Sequence, residues 1–342
     1  MKELSIIVPV YNVEKYIRPC MESIYKQGLD EDCFEVIIIN DGSEDRSMEM
    51  IKDIIDKHTN IRVVEQKNQG LSVVRNNGIA LATGDYIFMP DSDDLLIDGS
   101  LPILLDKAIE YQADLVVADY LTMTDDEIVS SPTICQKKFE MEVKTGEKLL
   151  VEDLSPYACF VWHTLYRREY LLDTHLKFIP GIYIQDVPFT HECYLRAKKC
   201  LRVSWLLNIY RRHDTAATIS FNKRKEKDFC TAIAATWQLI YLKEISPIAR
   251  QKIHDDMYIS FSRMISTTVR EVEKASDRIE IVDYLREKAP DLYFRNGMKQ
   301  KLFSFVFSHF PHTYIWIRYV YAKYYEDMLR PFYCHKIKMM FQ

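Results

Sequence analysis

The stretch GDYIFMPDSDDLLIDGS (84–100) holds the key to the fold. An apolar run of strand length ends at Met89 and is followed at once by Asp91, Asp93 and Asp94, three carboxylates within four positions. Carboxylates so close repel one another, so solvent, a helix N-terminus or a metal ion has to offset the cost. Working outward, the first 120 residues alternate regularly. LSIIVPV (4–10), FEVIIIN (34–40), IRVVEQ (61–66), DYIFMP (85–90) and ADLVVADY (113–120) are continuous apolar runs. Between them lie the helical patterns VEKYIRPCMESIYKQ, SEDRSMEMIKDIIDKH, GLSVVRNNGIALAT and SLPILLDKAIEYQ. Strands buried on both faces and separated by helices predict parallel βαβ units, an α/β sheet with helices on both sides. Ligands of such sheets lie beyond the carboxyl ends of the strands. Those ends supply PVYN (9–12), NDGS (40–43), KNQGLSVVRNNG (67–78) and PDSDD (90–94), so polar and acidic residues gather along one edge.

After residue 120 the alternation stops. TGEKLLVEDL predicts a short helix, YACFVWHTLYRREYLL a strand or loop running into a helix, IQDVPFTHECYLRAKK a helix, and CLRVSWLLNIYRRH a further strand. From about residue 222 the pattern is helical, with breaks near Pro247, Pro290, Gly297 and Pro311. The expected division is 1–221, with a nucleotide half (1–120) and an acceptor half (121–221), followed by a helical region over 222–342. A length of 342 residues agrees with about two domains at roughly 150 residues each. Hydrophobic residues make up 48% of the chain, enough for a sizeable core, and the net charge of −5 carries no nucleic-acid signature. Eight scattered cysteines without a CxxC pair fit reduced thiols. MKELSIIVPVYN is too short and too uninterrupted by small residues to read as a signal peptide, and no apolar run reaches spanning length, so a cytoplasmic chain is expected.

The acidic stretch can be tested against known chemistries by spacing. An EF-hand places an oxygen ligand fifth and Gly sixth, where this chain has Leu95 and Leu96. An aspartate-nucleophile phosphatase carries Thr or Val where Leu95 stands, and its motif follows the first strand rather than the fourth. A dehydrogenase lacks support, since no GxGxxG occurs. Asp98 alone would suffice to cap the helix near Ser100, which leaves Asp91 and Asp93 unexplained. The pattern that accommodates both is a divalent cation, Mn²⁺ or Mg²⁺, bridging carboxylates to a diphosphate.

SIIVPVYNVEKYIRPCMESI, VIIINDGSEDRS and NQGLSVVRNNGIALATGDYIFMPDSDD together resemble the inverting family 2 glycosyltransferases of the GT-A fold. The likeness covers roughly residues 1–120, and VWHTLYRREYL, IQDVPF and YRRHDTAATIS (within 157–220) are similar to the acceptor-side half of bacterial polysaccharide enzymes. The resemblance implies a metal-dependent, Rossmann-like nucleotide-sugar transferase. Its donor would be a nucleotide sugar, UDP-linked, and its acceptor a hydroxyl of a glycan or lipid-linked saccharide, as in capsule, O-antigen or exopolysaccharide synthesis. No nucleic-acid partner is implied.

Carried onto this sequence, Asp91 and Asp93 match the DxD motif around Ser92 and would hold metal, diphosphate and ribose. Asp41 matches the residue that reads the uracil imide, although Asp41–Gly42 also suits a turn with Ser43 capping the next helix. Pro9, Val10 and Tyr11 match the segment beside the base; Tyr11 would either stack there or enter the core. Asn12 reads as the N-cap of a helix from Val13. Arg75 matches the arginine near the nucleotide, with a solvated helix face as the alternative. The catalytic base matches Asp186 in the pair Gln185–Asp186, where relatives commonly have Glu-Asp. Asp186 before Val187 and Pro188 also suits a helix N-cap, and Glu192 is the next acceptor-side carboxylate. Thr164 stands where relatives often carry Lys. His213 is a candidate metal or phosphate ligand, and Arg211 or Arg212 a phosphate partner.

Residues 301–342 hold thirteen of the 42 aromatics and six Lys or Arg against two acids, a net +4 that leaves −9 elsewhere. A helical wheel over 314–330 gathers Tyr314, Ile317, Tyr321, Tyr324, Tyr325 and Met328 on one face, with Lys323, Glu326, Asp327 and Arg330 opposite. This suits either a helix closing the second domain or one lying in a membrane interface, at the inner face of the cell membrane. Two rivals to glycosyl transfer stay open: a non-catalytic nucleotide-sugar or glycan binder on the same scaffold, and the phosphatase.

Overall fold

The computed structural model describes residues 2–130, 134–136, 138–156, 158–213 and 222–324. The chain divides into two compact units, Met1–Ile219 and Ser220–Gln342. In the first unit the predicted alternation gives β1 (Leu4–Val10), α1 (Ile17–Tyr25), β2 (Phe34–Asn40), the short helices α2 (Ser47–Met50) and α3 (Lys52–Lys57), β3 (Ile61–Glu65), α4 (Leu71–Leu81) and β4 (Tyr86–Phe88). It continues with β5 (Leu95–Leu96), α5 (Ser100–Tyr111), β6 (Leu115–Thr124), α6 (Asp125–Ser130), β7 (Met141–Lys144), α7 (Gly146–Glu152), β8 (Thr164–Arg167), α8 (Arg168–Asp173), α9 (Asp186–Arg196) and β9 (Cys200–Arg212). Among the described residues these strands form one nine-stranded sheet in the order β3-β2-β1-β4-β8-β6-β9-β5, with β7 also paired to β9. β3, β2, β1 and β4 are parallel, as the Ile and Val runs predict.

The sheet is mixed rather than parallel throughout. β8, supplied from 40 residues further along the chain than β6, lies between β4 and β6 and is antiparallel to both. Leu4, Ile6 and Val8 of β1 pack with Val36 and Ile38 of β2, Ile17, Met21 and Ile24 of α1, and Leu101, Leu104 and Leu105 of α5. On the opposite face α4 approaches β1 closely: a Cβ at Gly78 would lie 2.3 Å from Ile7 Cγ2, so only glycine fits there without a shift.

Several local expectations differ from the structure: Ser43 and Asp98 do not cap α2 and α5, whose N-cap positions are held by Arg46 and Gly99. The helix predicted over 43–58 is interrupted at Ile51, between α2 and α3. Asn12 does not cap a helix from Val13, because α1 begins at Ile17. Asn12 instead adopts φ 51°, a left-handed conformation that Asn tolerates better than most residues. Its Oδ1 accepts from Glu44 N at 2.9 Å, and its own N–H donates to Ser43 Oγ at 3.2 Å, which ties the first strand's end to the second's.

The second unit is helical: α10 (Lys223–Gln238), α11 (Pro247–Glu271), α12 (Ala275–Lys288), α13 (Gly297–His309) and α14 (Pro311–Tyr324), with a 3-10 turn over Leu239–Tyr241. Pro247, Gly297 and Pro311 fall at helix starts, and Pro290 follows the end of α12. Pro247 is the first residue of α11 behind Ser246, whose Oγ accepts from Ala249 N at 3.1 Å. Phe261, Phe294, Phe307 and Tyr314 pack ring to ring in its core. No helix among the described residues is long and apolar enough to cross a membrane. Of the predicted segments, 214–221 and the end of the aromatic tail, 325–342, with Tyr325, Met328 and Arg330, lie outside the described residues.

Candidate active site

The carboxylates of Asp91, Asp93 and Asp94 leave the end of β4 in a turn closed by Asp94 N donating to Asp91 O at 3.2 Å. One ligand oxygen of each lies within 4.8 Å of the others. Helix α1 supports the loop from one side, with Cys20 Sγ 3.7 Å from Asp91 O. β9 supports it from the other: Arg211 N donates to Asp94 Oδ1 and Arg211 Nε to Asp93 O, both at 2.8 Å. The Arg211 guanidinium also pairs with Asp125. His213 Nε2 lies 3.0 Å from Asp93 Oδ2, and its ring packs against Tyr16. Ser92 is buried within the loop, and Arg212 is exposed.

Asp94 is only 3% exposed, and among the described residues its Oδ2 has no hydrogen-bond partner. Burial, together with the charges of Asp91 and Asp93, pushes its carboxyl well above the usual range. Asp91 is pushed up as well, by burial and by Asp93 and Asp186, against the lowering effect of Arg75. A buried, unpartnered carboxylate oxygen beside two further carboxylates and an imidazole fits a hard divalent cation. Asp94 is thus the carboxylate that the DxD pattern leaves out. The third charge in the stretch was visible, but its burial was not.

Arg75 lies one turn into α4 and is fully buried. Its guanidinium joins the two halves of the unit: Nη2 donates to Asp91 Oδ1 at 2.6 Å and Nη1 to Asp186 Oδ1 at 2.8 Å. Asp186 opens α9, but Gln185 occupies the N-cap position and makes no side-chain cap bond. The Asp186 carboxylate accepts from Arg75 and, at 2.5 Å, from Gln185 Nε2. Burial raises its pKa, and Arg75 only partly opposes this. Gln185, 1% exposed, is a second residue that sequence reasoning singled out only as a departure from Glu. Glu192, further along α9, pairs with Arg196 at 2.7 Å, and Thr164 is fully buried at the start of β8.

At the other end of the edge, Asp41 is buried and organises the loop after β3. Its Oδ1 accepts from Gln66 Nε2 at 2.7 Å and Gln69 N at 2.9 Å, and its Oδ2 from Gly70 N at 2.8 Å. Gly70, at φ 87°, turns the chain into α4, so Asp41 fixes the helix that carries Arg75. Pro9 and Val10 are buried in β1, whereas Tyr11 is 49% exposed at the strand end.

Residues 5–173 match the family model described as Glycosyl transferase family 2. The chain is 33% identical to "Uncharacterized glycosyltransferase EpsJ" of Bacillus subtilis over 217 residues, 63% of this chain and 62% of that one, so it spans about three fifths of that relative. Among solved structures, Staphylococcus aureus TarS 1–349 in complex with UDP-GlcNAc superimposes with a TM-score of 0.66 at 19% identity, over 84% of this chain and 82% of that one. The mannosyltransferase PcManGT of Pyrobaculum calidifontis, in complex with GDP-Man and Mn²⁺, superimposes with a TM-score of 0.54 at 12% identity, over 94% and 88%. The mixed sheet, the acidic strand end and the matched segment agree: residues 5–173 form a glycosyl transferase family 2 domain within a unit of GT-A-like fold.

Proposed function

We propose that the protein is a metal-dependent inverting glycosyltransferase of bacterial polysaccharide synthesis. It moves a sugar from a UDP-linked donor to a hydroxyl of a glycan or lipid-linked saccharide. The observation that carries this reading is the fully buried Arg75, hydrogen-bonded at once to Asp91 of the acidic loop and to Asp186 of α9. A donor-side carboxylate and an acceptor-side carboxylate so joined suit a displacement in which leaving group and nucleophile occupy opposite sides of one carbon. Asp91, Asp93 and Asp94, with His213, would hold Mn²⁺ or Mg²⁺. Such an ion, when bound, neutralises the charge that develops on the leaving diphosphate. Asp186 takes the acceptor proton while that oxygen attacks the anomeric carbon from the side away from the diphosphate, and one displacement gives one inversion. Tyr11 is available to stack on the base, and Asp41 to accept from its imide. The UDP-GlcNAc bound to TarS and the Mn²⁺ in PcManGT support the donor and metal classes. The aromatic, basic region 301–342 supports peripheral contact with the inner face of the cell membrane.

The test is UDP binding by thermal shift. UDP at a hundred times its dissociation constant should add about 2.7 kcal/mol of stability in Mn²⁺, and Asp93→Ala should lose the Mn²⁺-dependent part. Equal stabilisation of wild type and variant by UDP in EDTA overturns the metal-bridged reading.

A further inference from the structure

A group of aromatic side chains in the first unit is used by none of the steps above. Phe160 and Trp162 stack with ring centroids 4.7 Å apart and planes 16° from parallel. Trp162 and Tyr210 stack at 5.4 Å, again at 16°. Phe160 and Tyr210 are themselves 5.7 Å apart and tilted by 31°. Tyr120 closes the group edge-on, 4.9 Å from Trp162 and 5.7 Å from Phe160. Trp162 is buried, at 1% exposure, whereas Phe160, Tyr210 and Tyr120 are partly exposed. Two partly exposed rings, each nearly parallel to the buried indole and tilted by 31° to one another, therefore border the surface over it.

The location of this surface is fixed by the strand register. Phe88 of β4 faces Leu165 of β8, so Trp162 and His163 lie past the end of β4 from which Pro90 and Asp91 depart. Ala118 N donates to His163 O at 3.0 Å, which holds the same segment against β6. Thr190, one turn along α9 from Asp186, donates its hydroxyl to Cys159 O at 3.1 Å, next to Phe160. Tyr210 precedes Arg211, which is bonded to Asp93 and Asp94. This surface is thus bordered by the helix that carries the candidate base and by the strand that supports the acidic loop. Asp41 and Tyr11 lie on the other arm of the sheet, at the ends of β2 and β1.

We propose that Phe160 and Tyr210, backed by Trp162 and Tyr120, form an acceptor subsite for a pyranose ring. A pyranose presents a flat C–H face that loses water on contact with aromatic surface, while its rim hydroxyls stay free for hydrogen bonds. An acyclic polyol has no such face. The contact of Thr190 with Cys159 puts this surface on the side of the helix that Asp186 opens, the side from which an acceptor hydroxyl would meet the candidate base. This inference deepens the glycosyl-transfer reading and rests on it.

The experiment is saturation-transfer NMR on the full chain with UDP and the diamagnetic ion Mg²⁺ present, irradiating aromatic protein protons. The probes are methyl β-D-glucopyranoside, methyl β-D-galactopyranoside and methyl N-acetyl-β-D-glucosaminide, with ribitol as the acyclic comparison. At least one pyranoside should receive saturation on its ring C–H protons, and ribitol none. Phe160→Ala should reduce that transfer at least fivefold while the thermal shift by UDP stays at the wild-type value. Phe160→Leu, which keeps apolar volume without a ring face and spares the fold, should reduce it likewise. If UDP binds but no pyranoside is saturated, if ribitol is saturated equally, or if both variants transfer as wild type does, the subsite is overturned and donor binding stands. If UDP fails to bind wild type, the glycosyl-transfer reading falls and the subsite with it.

Discussion

Asp186 shows how the fold engages a carboxylate that its position in the helix would leave to capping. The first turn of α9 would welcome it as a cap, but Gln185 holds the N-cap position and the Asp186 carboxylate is bonded to Arg75 and Gln185. Burial raises its pKa, and the Arg75 charge keeps that rise in check. The sign follows directly. A base works deprotonated, so turnover should fall as pH drops through this raised value, above the ordinary aspartate range near 3.8. Asp186→Asn retains an oxygen for Arg75 and nearly the same volume, so folding and UDP affinity should match wild type. Transfer should fall by roughly 10²- to 10⁴-fold, the usual contribution of a positioned base, and the acid limb of the pH profile should vanish from the residual rate. A variant within a few-fold of wild type at saturating donor and acceptor would move the search to Glu192. The acidic motif itself was legible because three charges at a strand end are anomalous in any fold. That Arg75 joins Asp91 to Asp186, 111 residues apart in the chain from Arg75, was not, because no local pattern encodes such a contact.

At the level of elements, α4 is the part that joins the end of β2 to the acidic loop and to α9. Its start is held by Asp41 through Gly70, its first turn carries Arg75, and its second lies on β1 at Gly78. A methyl group at Gly78 would meet Ile7 Cγ2 at 2.3 Å, so α4 or β1 must yield. Gly78→Ala should therefore destabilise by about 1–3 kcal/mol, the usual cost of overpacking a filled site. It should also weaken UDP binding, because Arg75 moves with the helix. Ile7→Ala removes the obstructing branch, so the double variant should lose less than the sum of the two single changes. Additive unfolding free energies in a double-mutant cycle would show that the close approach carries no strain. The same elements show what the sequence could and could not reveal. β1 to β4 were legible because continuous Ile and Val runs between helical patterns have few other solutions. The insertion of β8 was not, since its burial marks it as a central strand without naming its neighbours or direction. β5, with two residues, and β7, largely exposed, are too short or too polar to announce themselves.

For the molecule as a whole, the uneven distribution of charge bears on where it works. Residues 297–324, which form α13 and α14, contain Lys299, Lys301, Arg318 and Lys323 and no acid. Tyr314, Ile315 and Phe307 turn inward and fill the core of the second unit. Trp316 and Tyr321, each 63% exposed, stand outside it with Ile317, Val320, Leu302 and Phe305. The stripe expected from the wheel is therefore split, with Tyr314 in the core and Ile317, Tyr321 and Tyr324 on the surface. Exposed aromatics with basic neighbours and no acid suit the headgroup region of an anionic leaflet, where rings partition and Lys and Arg meet lipid charge. Full-length protein should then co-sediment with vesicles containing phosphatidylglycerol, less with purely zwitterionic ones, and less again as salt shortens the screening length. Replacing Trp316, Ile317 and Tyr321 together by Ser should reduce co-sedimentation several-fold. The unfolding midpoint should hardly move, since exposed substitutions away from special features usually cost within about 0.5 kcal/mol each. Equal sedimentation of the triple variant and wild type would return these side chains to the role of ordinary surface. A large drop in the unfolding midpoint would mean that the rings are covered by other parts of the chain, and it would reject the membrane reading on structural grounds.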